Sequence, residues 1–154
     1  MKILVLSDSH GEFRYMEKAV FDESPDHIVH LGDRLRDAES LREKFCRIPF
    51  TAVPGNCDLM SVEQPVRIEE IGGVRFLITH GHIHGVKTGM LRFSMAAREA
   101  QVQAALFGHT HAACWEELDG IHYLNPGAAG GGKPSYGVIE IKNGSIASCR
   151  IVYL

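Results

Sequence analysis

Ile3-Leu4-Val5-Leu6-Ser7-Asp8-Ser9-His10 opens the chain with a short apolar run that ends on a carboxylate and an imidazole, and the same pattern recurs along the sequence. Ile28 to Leu31 leads into Gly32-Asp33, and Pro49 to Val53 into Gly55-Asn56-Cys57-Asp58. Val74 to Ile78 leads into Thr79-His80-Gly81-His82, and Ala104 to Phe107 into Gly108-His109-Thr110-His111. Short apolar runs of this kind read as buried strands. One Asp or His beside a strand is ordinarily a cap, a surface group or a satisfied core residue. Recurrence at the C-terminal end of every run argues for a common site, because ligands of open α/β sheets bind outside the carboxyl ends of the strands. The donors are carboxylate, imidazole and amide oxygen, with no thiolate needed. Such a set suits a divalent ion such as Mn, Fe, Co, Ni or Zn better than Mg or Ca, and the pattern reads as a dinuclear metal site.

The intervening segments set the architecture. Phe13 to Ser24 places Phe13, Met16, Val20 and Phe21 at helical spacing and is stopped by Pro25. Asp37 is positioned to cap a second helix running to about Cys46, with Ala38, Leu41 and Phe45 facing inward. Val62 to Ile71 and Gly73 to Thr79 read as a hairpin across Gly72-Gly73, and Met90 to Val102 has the composition of a helix. After Ala104 to His109 the chain reads as β structure, with Asp119-Gly120 and Asn143-Gly144 as hairpin turns. A parallel-rich first half and an antiparallel second half would form two mixed sheets with helices outside, a four-layer αββα sandwich of the α/β class.

Composition excludes several functions. The chain of 154 residues is expected to be one domain, and its 16 Lys plus Arg against 19 Asp plus Glu leave a net charge of -3. No global basic field therefore points to nucleic acid or an anionic membrane. Cys46, Cys57, Cys114 and Cys149 form no CxxC pair, which favours reduced thiols. No signal peptide and no membrane-length apolar stretch are read, so a cytoplasmic location is expected.

The motif order resembles the calcineurin-like metallophosphoesterases, and within them the small single-domain bacterial and archaeal phosphodiesterase branch. The motifs quoted above stand in family order and are followed by Asn125-Pro126-Gly127-Ala128. The resemblance implies that Asp8, His10, Asp33 and His111 hold one metal ion while Asp33, Asn56, His80 and His109 hold the other, Asp33 bridging. It implies two divalent ions, Mn above the others, a small phosphodiester as substrate, and a bridging hydroxide as nucleophile. Two ions roughly 3.5 to 4 Å apart bring the pKa of water from 15.7 to about 7 and stabilise charge on the phosphoryl oxygens. Similar small members form homodimers or homotetramers, and Met60, Met90 and Phe93 are candidates for an interface or for the core.

One departure from the family pattern directs the choice of substrate. Many phosphomonoesterases of the family carry a histidine after the Gly-Asn pair, where it can protonate a leaving alkoxide; here the residue is Cys57. A thiol is the poorer donor near neutral pH, so the reading leans to phosphodiesters. Phosphomonoesterase, nucleotide pyrophosphatase or a protein-binding scaffold like the retromer subunit of this fold stand as alternatives. Asp33, Asn56 and His82 are the candidate catalytic residues. Asp58 is read as orienting its loop by hydrogen bonds, with substitution for the missing acid as the other reading. His82 and His84 share a loop near the site, and for each a solvent-facing, ligand-orienting or substrate-contacting role is open. His30 reads as packed or as supporting a ligand, His27 and His122 as structural, and Arg34 and Arg36 as solvated charges before a helix rather than a phosphate clamp. Trp115, Tyr123 and Tyr136 read as core or subunit contact, since no aromatic stripe suggests nucleic acid. Gly32, Gly55, Gly81 and Gly108 would supply the positive φ and close backbone approach needed where each strand breaks into a site loop.

Overall fold

The computed structural model describes residues 1–154. In chain order the strands and helices are β1 (Lys2–Leu6), α1 (Phe13–Glu23), β2 (His27–His30), α2 (Leu35–Lys44), β3 (Phe50–Ala52), β4 (Val66–Ile71), β5 (Val74–Thr79), α3 (Leu91–Glu99), β6 (Ala104–Leu106), β7 (Cys114–Leu118), β8 (Ile121–Asn125), β9 (Ser135–Lys142) and β10 (Ser145–Tyr153), with a single 3-10 turn at His82–His84. They form two five-stranded sheets, in the orders β10-β9-β1-β2-β3 and β4-β5-β6-β8-β7.

Alternation of side chains along each strand builds the layers. From β1, Ile3 and Val5 enter the core between the sheets, where they meet Val74, Phe76 and Ile78 of β5 and Leu106 of β6. Leu4 and Leu6 point the other way, onto Met16, Ala19 and Val20 of α1 and Leu41 of α2. Leu77 and Ala105 form the outer face of the second sheet against Phe93 and Ala97 of α3. The result is the expected αββα sandwich.

The sheets do not divide at the middle of the chain. β9 pairs antiparallel with β1 inside the first sheet, and β8 pairs parallel with β6 inside the second. The C-terminal β hairpin therefore completes a sheet begun by the first residues, and each sheet is mixed. Phe21 is 65% exposed, and α1 buries Ala19 and Glu23 in addition to Met16 and Val20. Val62 lies outside β4 and is exposed, Trp115 is 45% exposed on the edge strand β7, and Phe93 belongs to the core. The turns behave as read: Asp119, Gly120, Asn143 and Gly144 all have positive φ, as a two-residue hairpin turn of type I′ requires. All four cysteines are free, and no helix is long and apolar enough to cross a membrane.

The buried Glu23 ties α1 to the first sheet. Its carboxylate accepts from both terminal nitrogens of Arg150 on β10, at 3.1 and 2.6 Å, and from the Tyr136 hydroxyl on β9. The Arg150 bond, against the opposing cost of burial, holds the Glu23 carboxyl below its ordinary range near 4.5. Such a group adds stability above its unfolded pKa and loses it as pH falls through the folded value. Glu23→Gln should cost about 2 kcal/mol at pH 7, below the 3–5 kcal/mol of a fully buried pair because Arg150 is half exposed. In urea unfolding, the gap between wild type and variant should close as pH drops below about 4.5.

Candidate metal centre

Parallel pairing brings the chain segments that leave β1 and β2 to one edge of the first sheet, and those that leave β5, β6 and β8 to one edge of the second. The two edges are fastened by His80, whose Nδ1 lies 2.8 Å from the Leu31 carbonyl, while within the second sheet the Gly108 N–H donates to the His80 carbonyl at 3.0 Å. The Asp8 N–H donates to the Gly32 carbonyl and the Ala129 N–H to the Ser7 carbonyl, so the site loops hold one another.

All the metal-ligand candidates arrive in one place. Asp8, His10 and His111 form one group of converging donor atoms, and Asp8, Asp33 and His80 a second. Asn56 Oδ1 is 3.2 Å from His80 Nε2, and the His109 ring centre is 5.0 Å from that of His80. The groups meet at Asp8, whereas the resemblance gives the bridging role to Asp33. Asp8 Oδ2 is already satisfied, accepting from Ser7 Oγ at 2.5 Å and from the His109 N–H at 3.1 Å. Asp8 Oδ1 is buried and has no hydrogen-bond partner, although His111 Nε2 stands 3.0 Å away, His10 Nε2 3.9 Å and His80 Nε2 4.0 Å. A buried carboxylate oxygen without a donor is costly unless a cation meets it. An orphaned oxygen surrounded by three imidazole nitrogens is the chemistry a divalent ion satisfies, and the residues fit the group.

Backbone strain concentrates at the same residues. Asp8, His10, Asp33, His109 and His111 all have φ between 48° and 66°, a region non-glycine residues seldom occupy. Each strained residue costs on the order of 1–3 kcal/mol and is kept where the surroundings over-determine it, as in a site that must aim side chains. The glycines divide into two kinds. Gly32 needs its φ of +98°, whereas Gly55 has no such φ and is required by closeness: a Cβ there would lie 2.1 Å from Asp33 Oδ1.

Electrostatics keep the donors available. Burial opposes ionisation of Asp33, but the Cys57 N–H bond at 2.9 Å and the neighbouring His80 outweigh it and hold the carboxyl below its usual range. Burial, then His80 and Lys87, keep His109 below the ordinary imidazole pKa, which favours the neutral ring with one nitrogen lone pair free. Burial also pushes His30 down to about 4. The neutral His30 ring accepts from the Gly32 N–H through Nδ1 at 3.2 Å and so supports the turn that carries Asp33.

The remaining candidates separate cleanly. His82 is half-buried with its ring centre 5.5 Å from that of His80, beside the donors, while His84 packs on Phe93 at 5.5 Å, away from them. His27 contacts Thr51 and His122 stacks on Trp115, both outside the site. Arg34 and Arg36 are exposed. Asp37 does not cap α2; its Oδ2 accepts from Ser9 Oγ and the Gly11 N–H. The cap comes from Asp58, whose Oδ1 accepts from the N–H groups of Arg34 and Leu35 while Oδ2 accepts from Gly55. One carboxylate thus ties the Asp33 loop to the Asn56 loop. Ser7, Lys87 and Asn125 also bear on the site and were not singled out as contributors; Asn125 Nδ2 donates to the Gly108 carbonyl and to Thr110 Oγ1, bracing the His109-to-His111 loop. Among these, only Asn125 had a sequence signal, as part of the Asn-Pro-Gly-Ala motif.

Residues 1–144 match the model of the calcineurin-like phosphoesterase superfamily domain. The chain belongs to that family. It is 33% identical over 131 residues to the probable metallophosphoesterase YsnB of Bacillus subtilis, covering 83% of this chain and 75% of that protein. It is 27% identical over 160 residues to phosphodiesterase MJ0936 of Methanocaldococcus jannaschii, covering 91% and 93% of the two chains. Among solved structures, wild-type Vps29 of Entamoeba histolytica complexed with zinc superposes with a TM-score of 0.78 over 100% of this chain and 98% of its own, at 19% identity, a likeness of fold.

Metal binding at this cluster should stabilise the fold. Adding Mn²⁺ at about 100 times its Kd to chelator-stripped protein should raise unfolding free energy by about 2.7 kcal/mol, visible as a higher Tm. Asp8→Asn should abolish most of that gain while leaving the metal-free protein folded.

Proposed function

We propose that the protein is a metal-dependent phosphodiesterase that hydrolyses a small phosphodiester at this centre. The observation that carries the reading is the pair of donor groups meeting at the unpartnered Asp8 Oδ1. Asp8, His10, Asp33 and His111 would hold one ion and Asp33, Asn56, His80 and His109 the other, with Mn favoured over Ni, Fe, Co or Zn. Two divalent ions supply, when bound, the positive charge that offsets the phosphoryl oxygens and the means to lower the pKa of water to about 7.

The chain's own groups define the rest of the reaction. The Cys57 N–H fixes Asp33 Oδ1, and the carbonyl of Leu31 fixes the His80 ring, so the donors are held before substrate arrives. His82, whose ring centre lies 5.5 Å from that of His80, would meet a substrate oxygen through Nε2, since its Nδ1 is buried. Burial, the hydrogen bond to Asp33 and the adjacent acidic groups raise the Cys57 thiol above its ordinary value. At neutral pH the thiol thus keeps its proton and is a feeble acid toward a leaving alkoxide. Diesters with tolerable leaving groups are therefore preferred over alkyl monoesters. The relationship to MJ0936, itself named a phosphodiesterase, supports the same choice.

On chelator-stripped protein titrated with Mn²⁺, bis(p-nitrophenyl) phosphate should turn over faster than p-nitrophenyl phosphate. Asp33→Ala should reduce that turnover by more than the roughly 100-fold typical of losing a partner that merely supports a ligand. Faster monoester hydrolysis would instead indicate a phosphomonoesterase, and no turnover in a folded, metal-loaded protein would indicate a protein-binding scaffold. Cys57→His should raise the rate on an alkyl phosphomonoester about tenfold or more, because a positioned general acid contributes on the order of 100-fold or above.

A further inference from the structure

Beside the metal-ligand cluster the surface opens into a cavity of about 440 Å³ whose walls include Asn56, His82, Leu59, Ser61 and Glu63. It begins at the ligands themselves, since Asn56 Oδ1 lies 3.2 Å from His80 Nε2 and the His82 ring packs against that of His80. A space of this size accommodates the organic group of a small ester.

Its charge is one-sided. No Lys or Arg is among the nine residues that line it. Asp58 also borders it, but both carboxylate oxygens are taken by the backbone N–H groups of Arg34, Leu35 and Gly55. Glu63 alone presents a carboxylate to the cavity with half of its side chain in solvent. Arg67 approaches Glu63 only to 3.8 Å, and its other terminal nitrogen is engaged by Glu69 at 2.6 Å. The cations that border the centre lie elsewhere, Lys87 toward His109 and Arg34 toward Gly11 and Asp37.

We propose that this cavity receives one organic group of the phosphodiester and that Glu63 makes it select an uncharged or cationic group over one bearing a carboxylate or a second phosphate. The inference rests on the phosphodiesterase reading and narrows it, setting nucleoside diphosphate-type substrates apart from the preferred class. The phosphoryl charge would be met by the metal centre, but a second anion in the cavity would face Glu63, whose nearest cation, Arg67 at 3.8 Å, is shared with Glu69. Because Glu63 is solvated, the discrimination is moderate and is screened by salt.

The test uses two diesters with the same p-nitrophenolate leaving group, one carrying a trimethylammonioethyl group and the other a carboxyethyl group, with bis(p-nitrophenyl) phosphate as a neutral reference. For Mn²⁺-loaded wild-type protein, kcat/KM should favour the cationic ester by about three- to tenfold at low salt. Glu63→Gln should bring the ratio near unity and Glu63→Lys should invert it, with the neutral diester read alongside as the check that each variant still turns over. A charge ratio unchanged by Glu63→Lys, with the neutral diester still hydrolysed, would overturn this inference alone. Loss of all diester hydrolysis by the wild type would overturn the phosphodiesterase reading beneath it.

Discussion

Asp8 and Asp33 are carried almost completely out of solvent, 0% and 3% exposed, beside the equally buried imidazole of His80. No lysine or arginine forms an ion pair with either carboxylate. Acidic groups buried this deeply must be met by hydrogen-bond donors or by cations. Asp8 Oδ2 and Asp33 Oδ1 accept from protein donors, but Asp8 Oδ1 is buried with none. That single orphaned atom, faced by imidazole nitrogens from three different loops, sets the requirement that the rest of the architecture serves.

The sandwich answers this requirement by abutting two sheet edges. β1 and β2 contribute Asp8, His10 and Asp33 from one sheet, while β5 and β6 contribute His80, His109 and His111 from the other. The hydrophobic core between the sheets fixes their separation, and the contact from His80 to Leu31 converts that separation into a position for the ring. Positive φ at the ligand-bearing residues is the local cost, offset by the mutual hydrogen bonds of the loops and, when metal is bound, by coordination. The loops provide a cluster of carboxylates and imidazoles suited to a cation, with the Cys57 thiol beside Asp33.

Much of this was legible in the sequence because strand length, apolar runs and terminal Asp or His residues are local signals. The five strand ends that carry the candidate ligands, the α1 and α3 helices and the three hairpin turns were read from a few adjacent residues. What escaped depends on contacts between distant segments. Nothing near Leu35 announces that Asp58 would cap α2 from more than twenty residues away, so the nearer Asp37 was assigned the cap. The pairing of β9 with β1 is equally invisible, since edge and central strands share the same composition. Phe21 followed the helical period but fell on the face of α1 that the neighbouring Phe45 only partly covers. Gly55 and Gly108 are required by the approach of Asp33 and Ser7, a packing constraint rather than a dihedral one.

Anomalous diffraction from crystals grown with Mn²⁺ is the most direct measurement of the central claim. The account predicts two peaks about 3.5 to 4 Å apart, both within the cluster of Asp8, Asp33, His80 and His111 and one of them at the now partnered Asp8 Oδ1. A single peak, peaks elsewhere on the surface, or an ordered water at Asp8 Oδ1 with no metal density would contradict it.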